Sequence, residues 1–194
     1  MKKVILSVAA IFAFGFANAQ ETPSEGGFTK GDVFILGAVG FGSEKTGDFK
    51  TNDFIIAPKA GYFVTNNIAV GLAVGFESSK VDNGIADAKN NTFTVGAFGR
   101  YYFTPASKFS IFGELGVNYN SYDNEFPADS KGDGFGVAVA PGVSYFISKN
   151  FALEASFGIL GFDTTKPDGG GEKTNSFDFG LDTRDIRLGL VYKF

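Results

Sequence analysis

From residue 31 onward, apolar residues alternate with small or polar ones at a period of two, the period of a strand and not the 3.6 of a helix. The pattern predicts eight strands, at about 31–43, 54–64, 68–78, 92–103, 108–121, 134–147, 151–162 and 178–194. Their connections alternate in length. Thr65-Asn66-Asn67, the stretch from Thr104 to Ser107, and Ser148-Lys149-Asn150 read as tight turns. The other connections, such as "SKVDNGIADAKNN" and "YDNEFPADSKGD", read as long polar loops. Short turns at one end and long loops at the other are the asymmetry of a membrane-spanning barrel.

One face of each strand is apolar, as in Ile68, Val70, Leu72, Val74 and Phe76. The opposite face is Gly, Ala and Ser with about one charge per strand. A water-facing surface carries roughly 25–35% charged residues, so the small face suits a tight interior and the apolar face suits lipid. The fold expected is therefore all-β: an eight-stranded antiparallel up-and-down transmembrane β-barrel. Lys59, Glu77, Arg100, Glu114, Glu154, Asp185 and Arg187 all fall on the inward face and form a candidate lumen charge network. Such a network either gates small ions or packs the interior permanently as ion pairs. Facing is least secure in the fourth strand, where turning Arg100 inward also turns Tyr102 inward. Aromatics cluster near both strand ends. Phe63, Tyr102 and Phe146 join Tyr62, Tyr101, Tyr145 and Tyr192 at the short-turn end, and the clusters read as two interfacial girdles. Pro58 and Pro141 lie inside strands, where a missing ladder donor predicts a bulge or bend.

Composition narrows the chemistry. The chain of 194 residues has no His, Cys or Trp, with 24 Phe and 27 Gly. Without His or Cys there is no Ser-His-Asp triad, cysteine nucleophile, Cys/His zinc site or disulfide. No pair of carboxylates is singled out for catalysis, so an enzyme is not expected. No loop has the spacing of a calcium-binding loop, so neither a metal nor another cofactor is expected. A net charge of -4 argues against nucleic acid. Residues 1–19 read as a cleaved signal peptide: Lys2 and Lys3 precede an apolar run, then Ala17 and Ala19 frame a cleavage site before Gln20. Residues 20–30 read as a short flexible lead-in, and residues 31–194 as the barrel.

The segments "APKAGYFVTNNIAVGLAVGFE", "RYYFTP" and "APGVSYFISKNFALEASFGILGF", with the ending "LGLVYKF", resemble the small outer-membrane β-barrel proteins. That porin-like family includes the OmpA barrel domain and the OmpX type. The resemblance implies a bacterial outer-membrane location, contact with membrane lipid, and insertion by the barrel-assembly machinery. It also implies that Leu188, Leu190, Tyr192 and Phe194 form the C-terminal assembly signal. The function expected is that of a monomeric integral barrel, structural or interacting through its surface loops, its lumen filled largely by polar and charged side chains. A narrow channel for ions or small solutes is the first alternative. A soluble periplasmic lipocalin-like carrier, with the apolar face turned inward, is the second.

Overall fold

The computed structural model describes residues 26–46, 49–82, 87–125, 130–180 and 186–194. Among these residues the backbone forms antiparallel strands that group into eight staves of one barrel. The first stave is β1 (Val33–Gly37) with β2 (Val39–Thr46), and the second is β3 (Phe49–Ile56) with β4 (Lys59–Phe63). Four unbroken staves follow: β5 (Ile68–Asp82), β6 (Asp87–Tyr102), β7 (Phe109–Asn124) and β8 (Ser130–Phe146). The seventh is β9 (Phe151–Phe157) with β10 (Leu160–Pro167), and the eighth is β11 (Thr174–Phe179) with β12 (Ile186–Lys193). Each stave pairs with its neighbours in sequence, and β1 closes the ring on β12, from Phe34 opposite Lys193 to Gly37 opposite Leu190. Closure lies at the short-turn end; among the described residues β2 pairs only with β3, and β11 only with β10.

Facing follows the alternation. Leu72, Leu115, Tyr101 and Leu188 point outward and are exposed, while Phe34, Phe63, Arg100, Tyr102 and Phe112 point inward and are buried. The fourth stave has the orientation that brings Arg100 and Tyr102 inside together. Side chains hold the short turns. The Thr65 hydroxyl accepts from the Ile68 amide at 2.9 Å, and that of Ser148 from the Phe151 amide at 3.1 Å. Asn67 reaches across to the Tyr102 carbonyl at 2.8 Å, tying one turn to the next stave.

At the other end, much of what reads as loop is strand. β5 and β6 stay paired up to Asp82 opposite Asp87, and β7 and β8 up to Asn124 opposite Ser130. At about 3.3 Å per residue the 16 residues of β6 extend roughly 50 Å, well beyond an apolar band about 25 Å tall even when tilted. Where neither face meets lipid, no hydrophobic alternation is required, yet the ladder still pairs every backbone group. Side chains add rungs: Ser78 donates to Asn91 at 2.9 Å, and Thr94 to Asn120 at 2.8 Å.

The prolines act differently from one another. Pro58 interrupts the second stave without shifting register, for Ile56 faces Phe76 and Lys59 faces Ala73 in one continuous frame. The Val74 amide still donates to the Pro58 carbonyl at 3.0 Å, so only the reciprocal bond is lost. Pro141 stays within the unbroken β8. The bulge appears in the adjacent stave: Ser156 faces Gly142 but Leu160 faces Val139, which leaves one extra residue between them.

Candidate functional site

The interior at the short-turn end is an aromatic floor under a layer of charges. Phe28, Phe34, Phe63, Tyr102, Phe112 and Phe146 are all buried there. Phe28 stacks on Phe63 with ring centres 4.7 Å apart and meets Phe146 edge-on at 4.9 Å. Tyr102 bridges to Phe112 at 5.2 Å. Inward glycines make room for these rings. A Cβ on Gly61 would lie 2.3 Å from Phe34, and one on Gly142 would lie 2.3 Å from Phe112. This corrects two expectations. Phe63, Tyr102 and Phe146 belong to the interior and not to an interfacial girdle, because their parity is that of Lys59, Arg100 and Ser144. The small inward residues admit rings as much as long charged chains, so the lumen filling is aromatic as well as polar.

Four charged side chains meet on the floor. Arg100 donates through Nη1 and Nη2 to the two Glu154 oxygens, at 2.8 and 2.9 Å, in a bidentate pair. Its Nε donates to Glu114 at 2.5 Å, and Nη1 also reaches the Tyr102 hydroxyl at 3.1 Å. Lys59 donates to the other Glu114 oxygen at 2.6 Å. Ser144 donates to Glu154 at 3.3 Å. Two cations and two carboxylates balance, and among the described residues no buried side-chain polar atom lacks a partner. The Arg100 guanidinium lies 4.3 Å from the Phe112 ring centre, so the charge layer is also seated on the aromatic floor.

The staves explain why these residues meet. Arg100 and Glu114 are cross-strand partners on β6 and β7, and Ser144 and Glu154 are partners on β8 and β9. Lys59 comes across the barrel from β4. Two other expected members stand apart. Glu77 and Arg187 are exposed and do not meet the network. Glu77 lies in β5 opposite Ile55 and Thr92, in the polar extension of the sheet, where water can solvate it. Arg187 faces Ser156 on β9, and no carboxylate of the layer lies at its level. Asp185 lies outside the described residues, as do Ala17, Ala19 and Gln20. Leu188 and Leu190 are exposed on the outer face of β12, with Tyr192 and Phe194 continuing that face as a ring pair 4.9 Å apart.

Sequence reasoning missed Phe28 and the hydroxyl of Tyr102. The lead-in is not loose where it is described: Gly26, Gly27 and Phe28 are buried in the mouth of the barrel. Above the charge layer the interior changes character. Ala138 has the inward parity of Ser144 yet is exposed, and Gly116 and Gly161 face it across the ladders. Small side chains leave space at that level, and beyond it Gly136 is buried again between Asn118 and Asp163. Among the described residues, no cluster of three or more His, Cys, Asp or Glu could hold a metal ion.

A family model described as outer membrane protein beta-barrel domain matches residues 6–194. The outer membrane protein OprG from Pseudomonas aeruginosa has a similar fold, with a TM-score of 0.52 at 20% identity, covering 88% of this chain and 99% of that one. A major outer membrane protein from Thermus thermophilus aligns with a TM-score of 0.50 at 17% identity, covering 84% of this chain and 99% of that one. No curated protein matches the sequence.

Proposed function

The chain belongs to the outer membrane protein β-barrel family, and on that premise we propose that it is a sealed, non-enzymatic barrel that acts through its outer hairpins. It is an integral protein of the bacterial outer membrane, its apolar face in contact with lipid. The observation that carries the sealed reading is the buried Arg100–Glu154 pair, joined by the half-buried Glu114 and Lys59, over six aromatic rings. An eight-stranded barrel has a lumen about as wide as its own side chains. A bidentate ion pair on a packed floor leaves no water path at that level. Separating those charges would leave each unpaired in the interior, at roughly 3–5 kcal/mol, so the layer suits permanent packing better than a gate.

The short turns then face the periplasm and the extended hairpins face outward. The ladders of Ser, Asn and Thr give these hairpins a rigid polar surface suited to contact with other molecules. The chain works as a monomer in this reading, and the outward face of β12, with Leu188, Leu190, Tyr192 and Phe194, is what the assembly machinery meets during insertion. Planar-bilayer recording tests the sealed state. Purified, refolded protein gives no stable ohmic steps if the reading holds. Reproducible steps from the parent protein, altered by Arg100→Ala, would establish a channel gated by the network instead.

A further inference from the structure

The segment Gly26–Phe28 crosses the periplasmic mouth and touches parts of the barrel far apart in sequence. The Phe28 ring sits among Phe34, Phe63, Tyr102 and Phe146, from the first, second, fourth and sixth staves. Its amide donates to the Pro105 carbonyl at 2.7 Å, in the turn between the fourth and fifth staves. Lys30 donates its amide to Asn66 at 3.2 Å, in the turn between the second and third. The eighth stave supplies Lys193, whose Nζ donates to the Gly27 carbonyl at 2.6 Å and lies 3.4 Å from Asp32. Lys193 in turn is fixed by Asn150, which donates to its carbonyl at 2.7 Å.

The two glycines have no space for a side chain. A Cβ on Gly26 would lie 2.3 Å from the Phe146 Cβ, and one on Gly27 would lie 2.7 Å from the Ala106 backbone. Gly27 also has a φ of 140°, which side chains rarely adopt. The segment is therefore a fitted strap and not a chance contact of a loose terminus.

We propose that this strap docks only after the last stave has closed on the first, and that Lys193 is the latch that makes plugging of the mouth depend on closure. Neither half of the chain holds the complete pocket. Four rings from four staves must converge before Phe28 has a site, and Lys193 reaches Gly27 only when β12 lies against β1. Before that point, ordering the strap costs chain entropy with few contacts to offset it. Afterwards it shields the floor from the periplasm and ties the entry of the chain to its final strand.

Limited trypsin digestion during refolding of the full chain provides the test. Cleavage after Lys30 releases the strap, which mass spectrometry detects, while heat-modifiable gel mobility reports closure in the same samples. In the parent, protection at Lys30 should arise with or after the closed band; protection that precedes closure would overturn the proposal. Phe28→Ala and Gly27→Ala should both close yet release the strap at least roughly tenfold faster, because proteolysis follows the population of the undocked form. Gly27→Ala leaves every ring in place and carries the test if Phe28→Ala fails to fold. Lys193→Met should close and also lose protection. A closed Lys193→Met barrel as resistant as the parent would remove the latch, and parent-like resistance in both strap variants would show that the segment does not dock as described. Strap release and conductance are separate readouts, so each can fail alone.

Discussion

Along β8, Ser144 is buried and bonded to Glu154, whereas Ala138, on the same face of the same strand, is exposed. The same division runs around the barrel. β6 passes from buried Tyr102, Arg100 and Phe98 to Thr94 and Thr92. One backbone geometry thus builds two interiors. At the short-turn end, rings and a charged layer fill the lumen. Further out, space opens at the level of Ala138, and beyond it Gly132, Gly134 and Gly136 are buried again, the first against Tyr122 and the last against Asn118 and Asp163. The difference lies in the filling and not in strand number: rings and ion pairs fill one end, and polar side chains such as Asn118 and Asp163 line the other.

If the short-turn half carries the stability, substitutions there should dominate. Arg100→Ala is expected to have the largest effect, because it strands Glu154 and Glu114 inside the barrel. A loss of about 5 kcal/mol is the expected scale for a broken buried pair with its stacking on Phe112. Denaturant unfolding, followed by heat-modifiable mobility in detergent, measures it. Phe112→Ala comes next, at roughly 3 kcal/mol for a ring-sized cavity in the floor, by the same assay. Glu154→Gln keeps the shape but removes a charge from the bidentate pair, and a loss of roughly 1.5–3 kcal/mol is expected.

Outer-half changes should be far milder. Lys80 and Asp87 form an exposed pair at 2.5 Å, and Lys80→Ala should leave the unfolding midpoint unchanged at low and high salt alike. The smallest effect belongs to a peptide tag inserted between Gly169 and Gly170, in the turn joining β10 to β11. Both residues have positive φ and neither glycine has an atom close to a built Cβ. The tagged barrel should fold as the parent does and bind anti-tag antibody on intact cells. Stability losses of equal size in the two halves would dissolve the division between them.

The division was only half legible in the sequence. Period-two alternation was enough to place eight staves, to turn Leu72 and Leu115 outward, and to put Arg100 beside Tyr102. It could not show where the strands stop. Beyond the lipid, Ser78, Asn91, Thr164 and Asn175 sit in ladders whose two faces both meet water, so the hydrophobic signal fades while the backbone pairing continues. Aromatics were grouped by their height along the strands, which hid their facing. Phe63 shares parity with Lys59, and Phe146 with Ser144, so the signal that puts them inside was present. Phe28 gave a weaker one: its two preceding glycines hint at close packing, but its pocket is assembled from rings at widely separated positions. Glu77 and Arg187 have inward parity too, yet parity carries no information about height, and height decides which charges can meet.

Thiol accessibility at two positions of β8 tests the sealed-floor account most directly, since the chain has no cysteine to interfere. Ala138→Cys and Ser144→Cys point the same way and differ in height. On intact cells, a membrane-impermeant maleimide should label Ala138→Cys, whose position is exposed, and leave Ser144→Cys, whose position is buried, unmodified until the barrel is denatured. Equal labelling of both in the folded protein would mean that water and small solutes pass the Arg100 layer, and that the lumen is open.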